Sequence, residues 1–389
     1  MAPKIDGQYR YLSKAMFIFL MGNRDKMTLY IWRKMMKCTR FSLGICRMRF
    51  LIKDYGDTNF ITGLRGLAAT LVVVTHTSAF EAFGEWGQEV SNSGQLGVQA
   101  FFVIAGFTIA QTRLSAPGFR DYIVRRLLRI IPLYYAVVLI CAALVASGFR
   151  WNTYYGDIVG YAPMPVDILA HFSFLSWLDV RTGNSIIGVE WTLPVEIFWY
   201  IGVLPFLKYL TESIPKMVAA FLFMIFVEFI FEAVYAHFGL HPWQWSWSPW
   251  QYGWYFALGA ISWKLRKSSF KYTGSLQVVG VLCFFSALLG AKQDEILMAL
   301  AVFFIIIATD KREVNLLGKL LSWRPFVFVG SVSYGLYLVH LPIAYSLKPF
   351  IELSWVFFIC TFLASIALAM VLAVFVENPL RRSFGKKLM

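Results

Sequence analysis

Arg65 and His76 stand eleven residues apart in the run FITGLRGLAATLVVVTHT that begins at Phe60. On an α-helix that separation is close to three whole turns, so both side chains leave the same face about 16 Å apart along the axis. A guanidinium and an imidazole inside an apolar segment are costly in hydrocarbon and face a polar cavity or a partner. A neutral imidazole can take the proton of a hydroxyl as a new bond forms, the work of a general base. The alternative is a histidine that hydrogen-bonds a neighbouring helix. Arg126 and Arg129, three apart, share one face that suits either phosphates or lipid headgroups. Glu196 lies inside another apolar run, where a carboxylate needs an imidazole or an arginine to balance it. It could orient His76 or an acceptor hydroxyl, or serve a structural ion pair. Ser333, Tyr337 and His340 form one polar helical face, which lines a cavity or packs helix to helix.

These residues must be positioned by elements built for lipid. Of 389 residues 58% are hydrophobic, 18% aromatic and only 15% charged, a composition that excludes an ordinary soluble domain. Apolar runs of spanning length need about 20 residues; candidates lie near 61–80, 95–113, 127–147, 186–207, 216–237, 250–264, 273–291, 295–310, 326–347 and 354–377. Every second gap between them is basic: Arg120 to Arg129, Lys208 and Lys216, Lys264 to Lys271, Lys311 to Arg324, and Arg381 to Lys387. The bias of Lys and Arg towards the cytosol then predicts an all-α bundle of about ten spans with both termini cytosolic. The net charge of +14 reads as this topology and not as a nucleic-acid surface. The apolar stretch 166–178 is short, and counting it as a crossing would place the Lys264 to Lys271 cluster outside, so it is expected to be re-entrant or surface-lying.

Residues 1–58 form a basic cytosolic arm, with twelve Lys and Arg between Lys4 and Lys53 suited to anionic lipid. Residues 59–379 are the membrane domain, and 380–389 a basic cytosolic tail. The five cysteines have no ligand-like spacing and read as small hydrophobes. His237 and His241 are four apart, but Gly239 and Pro242 argue against one continuous helix, and no metal site is expected. The five tryptophans between His241 and Trp254 suit an aromatic belt at a membrane boundary or a sugar-stacking platform.

Several motifs in order resemble the family-3 membrane acyltransferases. Arg65 and His76 fit that family's basic residue, ten positions and histidine. GVQAFFVIAGF from Gly97 is similar to its second motif, with Ala105 where the family usually has serine. Arg126 and Arg129 match its Arg-x-x-Arg, and VEWTLPVEIFWY from Val189 its Trp-Ser/Thr-Leu-x-x-Glu, with Glu196 as the glutamate. SVSYGLYLVHLP from Ser331 and ENPLRR from Glu377 complete a likeness over about residues 59–382.

The resemblance implies an O-acyltransferase in a bacterial plasma membrane, with acetyl-CoA or a similar acyl-CoA as co-substrate and no tightly bound cofactor. The acceptor is a polysaccharide, a lipid-linked saccharide or another glycan. His76 and Glu196 are the catalytic candidates. Arg65, Arg126 and Arg129 are the candidates for holding the thioester donor, and Trp191, Tyr337 and His340 those for the acceptor. Membrane lipid is a partner, nucleic acid is not, and a homo-oligomer is compatible with the sequence. A transporter using Arg65, His76, Glu196 and His340 as a pathway is the rival reading.

Overall fold

Backbone groups in a bilayer have no water to bond, so apolar runs must close their hydrogen bonds within helices. In the computed structural model every regular element among the described residues is helical. The structure describes residues 56–114, 118–147, 165–202, 207, 211–266, 273–309, 315–377 and 379. Residues 1–55 of the expected basic arm and the whole basic tail lie outside them, as do Lys208, Lys267, Lys271, Lys311 and Arg312.

The helices used below are α1 (Asn59–His76), α2 (Glu85–Ser93), α3 (Gly97–Leu114), α4 (Phe119–Ala146), α5 (Pro165–Phe172), α6 (Thr192–Gly202), α7 (Ile214–His237), α8 (Gly253–Arg266), α9 (Thr273–Leu288), α10 (Asp294–Ala308), α11 (Arg324–Leu347) and α12 (Ser354–Leu372). Among the described residues, six helical stretches are long and apolar enough to cross a membrane: Gly56–His76, Glu85–Leu114, Phe119–Ala146, Ile214–His237, Arg324–Phe350 and Ser354–Glu377. Helices α6, α8, α9 and α10 occupy the other four expected crossings but are shorter. Helix α7 turns Leu222, Phe223, Phe226 and Phe229 outward, an apolar surface suited to hydrocarbon.

One expected boundary is corrected. The run 186–207 begins with a turn, and helix starts only at Thr192. Gly188 adopts φ +103°, a conformation that glycine reaches without a Cβ penalty, so the chain cannot continue as helix there. The stretch 166–178 contains α5 and a short 3-10 turn, Ser176–Leu178.

The packing that matters most for the site is between α1 and α11, which lie parallel. A Cβ on Gly66 would overlap the Phe326 carbonyl, and one on Gly330 the Thr62 carbonyl. Glycines thus let the two backbones approach closely, and ten residues beyond each of these glycines stand His76 and His340.

Candidate active site

A cavity of about 70 Å³ opens among α1, α3, α4, α6 and α11. Arg65, Arg126, Arg129 and Glu196 stand in its wall, together with Tyr200, Tyr334 and Tyr337. Phe101, Phe102, Ile104, Ala105 and Leu193 supply an apolar side. Three guanidinium groups against one carboxylate leave the chamber cationic, a setting for an anionic ligand.

The arginines are not equivalent. Arg126 is buried; its Nη2 donates to the Thr108 carbonyl at 2.7 Å and to Thr112 Oγ1 at 2.6 Å. Its guanidinium also lies 5.6 Å from the centre of the Tyr122 ring and 5.3 Å from that of Tyr200, within the range of cation–π attraction. Thr108 and Thr112, one turn apart on α3, thereby tie α4 to α3. Among the described residues Arg65 and Arg129 have no carboxylate within ion-pair distance. Arg125, beside Arg126 in sequence, is exposed. Glu196 accepts a hydrogen bond from the Tyr200 hydroxyl, and none of its hydrogen bonds among the described residues reaches His76.

His76 ends α1 and is exposed, whereas His340 is 0% exposed. His340 Nε2 lies 3.1 Å from His76 Nδ1, and the ring centres are 5.0 Å apart. Two backbone carbonyls settle the proton positions. His340 Nδ1 faces the Tyr337 carbonyl at 2.7 Å; a carbonyl only accepts, so Nδ1 carries hydrogen and Nε2 offers a lone pair. His76 Nδ1 faces both that lone pair and the Val72 carbonyl at 2.9 Å. It must therefore carry hydrogen too, which leaves His76 Nε2 as a bare acceptor on an accessible ring.

The cavity wall takes in Arg65 and runs along α11 through Ser333, Tyr334 and Tyr337, but it stops short of His340 and His76. The shared helical face of Arg65 and His76 therefore reaches the chamber at one end and the histidine pair at the other. Tyr337 sits where they meet: its hydroxyl donates to the Val189 carbonyl at 2.8 Å and accepts from Thr192 Oγ1 at 3.0 Å. Trp191 lies outside the chamber wall, its ring 5.5 Å from Tyr252 and 6.3 Å from Phe102.

A second polar cluster was not anticipated. Glu190 is 0% exposed; its Oε1 accepts the backbone N–H groups of Ile186 at 2.7 Å and Ile187 at 2.9 Å, and its Oε2 that of Gly188. His171 Nε2 lies 3.2 Å from Ser185 Oγ and 3.6 Å from Glu190 Oε1, and its Nδ1 faces the Tyr134 hydroxyl at 3.0 Å. Burial pushes the His171 imidazole below its ordinary value, against the opposing pull of Glu190 and Asp167. Asn184 and Gly188 were the available sequence cue, as turn formers interrupting an apolar run just before a glutamate.

Residues 58–374 match a family model described as an acyltransferase domain. Over 366 residues the chain is 26% identical to "Putative peptidoglycan O-acetyltransferase YrhL" of Bacillus subtilis (strain 168), covering 84% of this chain and 56% of that protein. It is 25% identical over 359 residues to "Peptidoglycan O-acetyltransferase OatA" of Listeria monocytogenes, covering 83% and 56% respectively. The chain thus spans about half the length of these two relatives. It is also similar to "Putative membrane-bound transacylase BcsY" of Komagataeibacter xylinus, at 26% identity over 309 residues, covering 72% of each chain. No solved structure matches the chain.

Proposed function

The chain belongs to the acyltransferase domain family, and from that premise we propose that it transfers an acetyl or similar acyl group from a coenzyme A thioester to a glycan hydroxyl. The observation that carries this reading is the bare Nε2 of His76, held by His340 just beyond the end of a cationic chamber. Arg65 and Arg129 bind the phosphates of the donor, while Arg126, already engaged by Thr108 and Thr112, fixes the chamber wall. The apolar side lets the thioester arm run towards Tyr337. His76 Nε2 accepts the proton of the acceptor hydroxyl as its oxygen attacks the thioester carbonyl. The carbon–sulfur bond then breaks, and His76 returns the proton to the departing thiolate. His340 stabilises the transient imidazolium through the hydrogen on His76 Nδ1.

Ten crossings with both chain ends on the cytosolic side complete the reading. Arg266 donates to the carbonyls of Asp57 and Thr309, and Lys264 to that of Thr211. These contacts gather the start of α1, the approach to α7 and the ends of α8 and α10 at one end of the bundle. His76 pairs with His340 at the other end, where Thr75 Oγ1 also meets the Ser91 carbonyl. The donor enters from the arginine end and the acceptor from the histidine end. A bacterial plasma membrane is the setting. A polysaccharide or a cell-wall glycan is the acceptor class, in line with the two relatives named as peptidoglycan O-acetyltransferases.

The test is acceptor-dependent release of coenzyme A by the purified full-length protein. His76→Ala should lower the turnover number at least a hundredfold. Wild-type turnover in that variant would refute the base, and movement of glycan across the membrane without thioester cleavage would favour a transporter.

A further inference from the structure

We infer that Glu190, which touches neither the chamber nor His76, is a positioning residue that sets the geometry of the histidine pair through the turn at 186–189 and Tyr337. The inference rests on the reading of His76 as the base, and it adds a residue that the sequence motifs do not point to.

A fully buried carboxylate is costly unless its oxygens are well bonded. Glu190 meets that cost with three backbone N–H donors from consecutive residues, Ile186, Ile187 and Gly188. Its nearest cation-forming neighbour, His171, has Nε2 at 3.6 Å, beyond hydrogen-bond length. The carboxylate therefore serves the shape of the turn. Both oxygens act as acceptors at once.

The turn reaches α11 through the Val189 carbonyl. With Ile186 to Gly188 wrapped around the carboxylate and Gly188 at φ +103°, the next carbonyl, Val189, points at the Tyr337 hydroxyl 2.8 Å away. Thr192, the first residue of α6, bonds the same hydroxyl from the other side at 3.0 Å. Held at its tip by two groups, the Tyr337 ring pins the rotation of α11 about its own axis. His340 follows three residues later, about 60° around the helix, with Nδ1 on the Tyr337 carbonyl and Nε2 on His76. A small rotation of α11 would lengthen the 3.1 Å contact between the rings and release the hydrogen on His76 Nδ1 from His340.

The test uses Glu190→Gln in the full-length protein, because glutamine keeps the volume but turns a donor towards a backbone N–H. The expected result is a fall in kcat of tenfold or more, with the KM for acetyl-CoA within twofold of the parent. In a His340→Ala background the same substitution should cost less than a further twofold, since the path it acts through is already broken. An undiminished kcat, a rise in KM alone, or an equal loss with and without His340 would each overturn the inference. Should Glu190→Gln fail to fold, Tyr337→Phe removes only the hydroxyl that links the turn to α11. Its loss of kcat should likewise vanish in the His340→Ala background, and no loss, or a loss that persists there, overturns the inference. If His340→Ala and His76→Ala themselves turn over normally, the assignment of the base has failed, a result separable from any behaviour of Glu190.

Discussion

Replacing His340 by alanine removes the acceptor behind His76 and leaves the reacting nitrogen in place. In the parent, His76 Nδ1 shares its hydrogen between His340 Nε2 at 3.1 Å and the Val72 carbonyl at 2.9 Å. The variant keeps only the carbonyl, which still holds the tautomer with a bare Nε2. What is lost is one hydrogen bond to a ring that becomes charged in the transition state. Such a bond is worth about 1.5–3 kcal/mol, and since each 1.36 kcal/mol is tenfold in rate, kcat should fall by about tenfold to about 150-fold. The KM for acetyl-CoA should stay within twofold, because His340 does not line the chamber. Release of the coenzyme A thiol in the presence of acceptor, followed with a thiol-reactive dye, measures both quantities. Activity within twofold of the parent would refute the hydrogen-bond assignment. A loss as deep as that of His76→Ala would show that His340 itself handles a reacting atom.

Three further outcomes follow from the same geometry. Arg65→Ala and Arg129→Ala should each raise the KM for acetyl-CoA about tenfold with kcat little changed, since loss of a charge-assisted contact to phosphate is worth about 1.5–3 kcal/mol; steady-state kinetics at two salt concentrations check this, and an unchanged KM would refute the donor assignment and return Arg129 to lipid anchoring. Gly330→Leu should lower both stability and activity, because its side chain must displace the Thr62 carbonyl at a cost of about 1–3 kcal/mol; a thermal-shift measurement and turnover equal to the parent would refute the close approach. His171 is held neutral by burial, whereas an unfolded chain takes up that proton near pH 6.5. Stability is therefore complete above that pH and declines as the pH falls below it. Melting temperatures of the parent and of His171→Gln between pH 5 and 8 should converge at low pH, and parallel curves would refute the role.

The all-helical architecture and the residues around the chamber were legible because apolarity and helical spacing are local properties. Arg65, Arg126, Arg129 and Glu196 could be assigned to helix faces from the sequence alone, and they share one chamber. The partners were not legible. His76 and His340 are 264 positions apart, and nothing local to either residue encodes a contact that depends on two glycines letting α1 and α11 touch. The start of α6 was misread for a different reason. Residues 186–191 are as apolar as a span, and an apolar run without periodicity cannot separate a buried turn from a helix. That same ambiguity hid Glu190: the motif drew attention to Glu196, six residues on, which is only half-buried and bonds Tyr200.

The separation of the two charged regions has an electrostatic consequence. A base that accepts a proton becomes a cation, and a guanidinium close by would oppose that step. At 4 Å two like charges repel by about 4 kcal/mol with an effective dielectric constant of 20, whereas at about 16 Å, the rise between Arg65 and His76 along α1, the figure is about 1 kcal/mol. Arginines strong enough to hold an anionic donor would therefore suppress the base if they shared its pocket. With the arginines in the chamber and His76 beyond Tyr337 beside a neutral imidazole, the flexible arm of the donor bridges the distance and the charges do not interfere. On this basis, an arginine placed beside the pair, such as Thr75→Arg, should lower kcat steeply while leaving the KM for acetyl-CoA near the parent value, and should do so less at high salt, because Thr75 is only half-buried and salt screens charges that solvent reaches.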